Sequence, residues 1–186
     1  MKAAFKEWAV ICRALAQGTQ IVILRKGGIV EQGGVFRVDH PEFLLFPTYS
    51  HQSPDDLIAP ARPLLKDIEA DMPEAGEVVF RHFAAVSEAF QIRSFAELLR
   101  FRGHHVWADE VVEERFYRWH DSLHALIVRV FALPEPVTLP LREDYTGCKS
   151  WVELEEDVNT VGAYPVITDE DFSSRIREIS ARSSTL

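Results

Sequence analysis

The sequence predicts a single α+β domain with a mixed or antiparallel sheet and several packed helices. Three observations carry that expectation. An amphipathic stretch at helical spacing opens the chain, short β-branched runs follow at Gln20 to Leu24 and Leu123 to Leu133, and no internal repeat or low-complexity linker divides the rest. A chain of 186 residues, 47% apolar and 26% charged, is long enough to bury one core without disulfides or metals.

From Lys2 to Ala16 the apolar residues Phe5, Trp8, Ile11, Cys12 and Leu15 recur at three-and-four spacing, which predicts a helix ended by Gly18. Gln20 to Leu24 reads as a strand. Gly27-Gly28 and Gly33-Gly34 bracket Ile29 to Gln32, and with the strand-like Val35 to Val38 they predict a hairpin or small meander. Phe43 to Phe46, closed by Pro47, is a buried strand or turn.

Pro63 starts a helix through Leu64, Leu65 and Ile68, because proline is tolerated in a first turn. Val78 to Ile92 alternates as a strand does, with its second half equally readable as helix. Ser94 with Glu97 forms a capping box ahead of a helix to Gly103, and Asp109 caps another through Arg115. Phe116 to Trp119 and Leu123 to Leu133 read as two strands about the turn Asp121-Ser122, the second stopped by Pro134 and Pro136. A last helix is expected around Asp169 to Arg182. The expected organisation is one α+β domain over 1–154 and an acidic, partly helical extension over 155–186.

Composition excludes several classes of function. No apolar run reaches the roughly 18 residues of a bilayer span, and Lys6, Glu7 and Arg13 interrupt any signal-like start. The two cysteines, Cys12 and Cys148, lie far apart, so a reducing cytoplasm is the expected setting. The net charge of −9 is concentrated toward the C-terminus, with 12 Lys+Arg against 13 Asp+Glu in residues 1–108 and 8 against 16 in 109–186. Such a balance opposes unspecific duplex binding, which rests on cations meeting phosphates, but permits a local basic cleft.

Arg25-Lys26-Gly27-Gly28 joins a strand end to a glycine turn, where backbone amides and a lysine can meet an anion. It has neither Walker spacing nor a dinucleotide fingerprint, and surface cations at a hairpin are the plain alternative. Phe46 to Gln52 sets Tyr49, His51 and Gln52 beside two hydroxyls, a group able to read a base edge or, equally, to cap a core. His104-His105 and His120 with His124 have ligand-type side chains, but a turn at Asp121-Ser122 separates the second pair, and no metal or cofactor is expected. Cys148, between Gly147 and Lys149, is either a thiol activated by a neighbouring cation or a structural thiol under Trp151.

The runs Phe5 to Val10, Leu24 to Ile29 and Phe46 to Tyr49 with His51-Gln52, then His105-Val106-Trp107, Val111-Val112, Arg115-Phe116, and Tyr145 with Gly147 to Trp151, together resemble a prokaryotic family known as domain of unknown function 1802. The resemblance covers about residues 3–154. It implies no reaction and no catalytic residue; by association it implies a link to restriction or DNA defence and a restriction-type nuclease as partner.

The expectation is therefore a nucleic-acid or nucleotide binding module, with Arg25, Lys26, Tyr49, His51, Gln52, Cys148, Lys149 and Trp151 around one pocket. The alternatives are a small enzyme using Cys148 or a hydrolytic site not visible in sequence, and a protein-interaction scaffold.

Overall fold

The computed structural model describes residues 1–26 and 38–181, which form one α+β domain around a curled mixed sheet. In chain order the elements are β1 (Ala3–Trp8), α1 (Ala9–Ala16), β2 (Val22–Arg25), β3 (Glu42–Thr48), α2 (Leu64–Ala70), β4 (Glu77–Ile92) and α3 (Phe95–Leu99). They continue with α4 (Asp109–Tyr117), β5 (Leu123–Pro140), β6 (Trp151–Glu153), β7 (Tyr164–Pro165) and α5 (Asp169–Ala181). The strand order is β2-β5-β4-β3-β1-β6, with β7 also paired to β5. The β1/β3 pair is parallel and the others are antiparallel. The hairpin expected around Gly27 to Val38 lies largely outside the described residues, as does Arg182.

The helix expected over Lys2 to Ala16 is corrected in its first half. Residues Ala3–Trp8 are a strand, hydrogen-bonded to β3 on one side and β6 on the other, and the helix begins only at Ala9. Helical spacing fits Phe5 and Trp8, strand alternation fits Ala3, Phe5 and Glu7, and two neighbouring strand partners decide between them. The strand places Phe5 and Glu7 on one face of the sheet and Ala4 and Lys6 on the other. Gly18 ends the turn after α1 as expected, with φ of +64°.

The long hairpin of β4 and β5 curls the sheet. Its register shifts twice, between Phe80 and His82 and between Val86 and Glu88, and bulges of this kind bend strands. Pro134 and Pro136 do not stop β5, contrary to expectation. Val137 pairs with Phe80 and Ala132 with His82, so both prolines fall in the irregular stretch, where no ladder N–H is demanded of them. The expected strand over Phe116 to Trp119 is also corrected: α4 continues to Tyr117, because Val112 and Phe116, one turn apart, both enter the core. Ser94 caps α3 by accepting from the Glu97 amide at 3.2 Å, while the Glu97 carboxylate accepts from the Arg93 amide at 2.7 Å.

Each sheet face carries its own core. Phe5, Phe43, Leu45 and Ala125 join α1, α3 and α4 in the larger one, and Ala4, Leu44, Phe46, Phe80 and Tyr145 form the smaller. Among the described residues no helix is long and apolar enough to cross a membrane.

Gly18 also holds α5 against α1. A Cβ there would lie 2.2 Å from Ile167 Cγ2, and its carbonyl accepts from Arg175. Gly18→Ala is expected to cost at least about 2 kcal/mol, from the left-handed backbone and the overlap together. A thermal midpoint within a degree of the parent would show that Ile167 moves aside freely.

Candidate functional site

Glu7, the penultimate residue of β1, is a carboxylate only 3% exposed. One oxygen accepts from the Trp8 amide at 2.8 Å, and the other lies 3.6 Å from a guanidinium nitrogen of Arg25 at the end of β2. Burying a carboxylate is costly unless it is paired and hydrogen-bonded, and both conditions are met. The Glu7 carbonyl accepts from Thr48 Oγ1 at 3.1 Å, which ties the ends of β1 and β3 together.

Arg25 reaches across the cleft. Its Nη2 donates to Ser150 Oγ at 2.8 Å and its guanidinium carbon stands 4.8 Å from the Phe5 ring centre, while its buried Nε has no hydrogen-bond partner. A second guanidinium, Arg115 of α4, lies 3.9 Å from the Trp107 ring centre and 5.2 Å from that of Trp8. Burial lowers the Arg115 pKa, the Glu7 charge opposes that shift, and Arg25 adds to it. Trp8 and Trp107 meet edge to face at 4.7 Å. The result is one buried acceptor paired with Arg25, with a second planar cation, Arg115, packed on the two indoles near enough to feel its charge, in a chain that is acidic as a whole.

The residues expected to form one pocket divide among several places. Arg25 and Trp151 are in or beside this cleft. Trp151 packs on Phe5 and Phe43 at 4.8 and 5.2 Å, with His40 at 5.3 Å. Gln52 supports it from behind, accepting from the Val10 amide at 2.9 Å and donating to the Thr48 carbonyl at 3.0 Å. Lys26 binds the loop after α4, donating to the carbonyls of Phe116 and Ser122 at 2.8 Å each and to that of His120. His51 is exposed, with φ of +62°. Tyr49 is half-buried and lines one cavity beside α1 and another against the smaller core, and burial raises its pKa. Cys148 is exposed, and the Lys149 amine donates to the Asp144 carbonyl.

Glu7, Trp8, Trp107, Arg115 and Ser150 belong to the cleft but were not expected there. The signal was present in part, because a glutamate between Phe5 and Trp8 is out of place on an apolar face. Reading that stretch as helix pointed Glu7 toward solvent.

A family model described as a domain of unknown function (DUF1802) matches residues 4–178. No curated protein sequence matches the chain. Among solved structures, the ASCH protein of Zymomonas mobilis is similar at 12% identity and TM-score 0.50, covering 94% of this chain and 93% of that one. Two single-residue variants of that protein align at 11% and 13% identity, over 94% of this chain and 94% and 96% of theirs, with TM-scores of 0.49 and 0.47. At such identity the likeness concerns the fold alone. The family match spans nearly the whole chain, both flanks of the cleft included, and the protein belongs to the DUF1802 family.

Proposed function

We propose that this protein is a nucleic-acid or nucleotide binding module that takes an unstacked base into the cleft at the end of β1. The observation that carries the reading is the buried Glu7 acceptor paired with Arg25, close to an Arg115 guanidinium that packs on Trp8 and Trp107. A carboxylate accepts from the amino and imino groups of a base edge, and the half-buried Trp8, backed by the buried Trp107, offers the aromatic surface on which a base stacks, at about 1–3 kcal/mol. The rim supports a backbone. Arg118 and Trp119 are both exposed, with the guanidinium carbon 6.0 Å from the ring centre, and Arg118 lies near enough to influence Arg115.

An acidic protein with few local cations disfavours a long duplex, so single-stranded or base-modified oligonucleotides are the expected ligands. Tryptophan emission reports their binding directly. The logarithm of affinity should fall with the logarithm of salt at a slope of about −1.5 to −2, as two or three neutralised phosphates give on single strands. Arg118→Ala should make the slope shallower by about 0.7, and Arg115→Ala should weaken binding about tenfold or more. Absence of binding tighter than about 1 mM at low salt, for single-stranded, duplex and modified oligonucleotides alike, would end this reading.

A further inference from the structure

On the other face of β1, away from the Glu7 cleft, a cavity of about 330 Å³ is lined by Lys6, Phe46, Tyr49, Glu77, Leu141 and Thr146 among others. That size reaches the lower range of small-molecule sites. A wider, open depression of about 720 Å³ at Arg142, Glu143 and Asp144 has its arginine already paired with Asp144 and Glu155, and two smaller cavities offer less. One of about 70 Å³ beside α1 admits little more than water, and one of about 290 Å³ beside His105 has its arginine, Arg102, already paired with Asp109.

The lining has two chemical parts. Phe46, Pro47, Val78 and Leu141 form an apolar wall continuous with the smaller core, whereas Ser50 supplies a hydroxyl, Glu77 a carboxylate, and Thr48 and Thr146, whose protons go to the Glu7 and Glu143 carbonyls, supply acceptor oxygens. At the edge stands the Lys6 amine, 5.7 Å from the Phe46 ring centre and donating to the Gly147 carbonyl at 3.1 Å. That single neutral acceptor leaves two of its three donors for other partners. Burial and the neighbouring Lys149 lower its pKa against a smaller opposing influence of Cys148, so the ammonium is under-compensated where it stands. An anion at this point would supply it.

We propose that this cavity is a second binding site, taking a small organic anion of nucleoside-monophosphate type. The phosphate meets Lys6, the hydroxyls and Glu77 hold the sugar and donor groups, and the flat body lies on the wall between Phe46 and Leu141. The site does not depend on the cleft reading, since the two lie on opposite faces of one strand.

The test is calorimetric titration of the full chain with 5′-UMP, uridine and inorganic phosphate in parallel. UMP is expected to bind with Kd between about 10 µM and 1 mM and the two fragments at least tenfold more weakly, because each engages only one part of the lining. Lys6→Met should weaken UMP at least tenfold, and Lys6→Arg should retain most of the affinity. Ser50→Trp, at an exposed rim position, should block the site without touching Lys6. No UMP binding at 1 mM would overturn the proposal, as would equal binding by phosphate alone or full affinity in both Lys6→Met and Ser50→Trp. UMP binding lost in Arg115→Ala but kept in Lys6→Met would place the nucleotide in the cleft instead, overturning this site while leaving the cleft reading standing.

Discussion

Glu7→Ala is expected to lower the unfolding free energy by about 3–5 kcal/mol, the usual cost of removing one partner of a buried ion pair. Without the carboxylate, Arg25 loses its ion-pair partner, the repulsion between Arg25 and Arg115 is no longer offset, and the Trp8 amide loses its acceptor. Arg25 is 22% exposed at its side chain, so solvent relieves part of the penalty and the lower half of that range is the expected outcome. For a chain of this size the thermal midpoint should fall by roughly 10 °C. Glu7→Gln keeps an acceptor and removes only the charge, so it should cost about half as much. A double-mutant cycle between Glu7 and Arg25 separates their mutual interaction from the individual losses, and should show coupling above about 1 kcal/mol. Zero coupling, or an unchanged urea midpoint in Glu7→Ala, would show that the cleft is not held by charge.

Acid should destabilise the fold well before its carboxylates titrate. His82 and His105 both have pKa values lowered from 6.5 to about 4, chiefly by burial. Arg13 and Arg81 push His82 further down, while Asp109 and a Trp107 backbone bond partly offset the shift at His105. The unfolded chain therefore takes up these protons near pH 6.5 and the folded chain only near pH 4. Stability is unaffected by them above that window. It falls within the window, at up to about 1.4 kcal/mol per pH unit for each histidine, as the unfolded state gains protons that the folded state refuses. Between pH 7 and pH 5 the combined loss should be about 3 kcal/mol, measured as a drop in the urea midpoint at constant m-value. His82→Gln and His105→Gln should each flatten this limb by roughly half, whatever their effect at pH 7. A midpoint that stays constant down to pH 5 would mean that both imidazoles protonate freely in the native state.

Local punctuation and fold class were legible in the chain before any contact was known. The α+β character, the Gly18 stop, the helix starts at Pro63 and Ser94 and the first half of the strand at Val78 to Ile92 follow from short-range chemistry: a left-handed glycine, a fixed proline φ, a side-chain cap, an alternating pattern. The family is legible for the same reason, as ordered motifs survive without knowledge of their contacts. Only the tertiary structure decided that Ala3–Trp8 is a strand, because its two partners, β3 and β6, lie some forty and a hundred and fifty residues away in the chain. That one decision turned Glu7 from a solvated helix residue into the buried centre of the cleft and turned Lys6 to the opposite face. Only the tertiary structure decided, too, that Lys26 is bound to three carbonyls while Arg115, ninety residues further on, stacks beside the site. Charge and hydrogen-bonding capacity are properties of a residue, but whether they are spent on the fold or held for a ligand depends on neighbours that are remote in sequence.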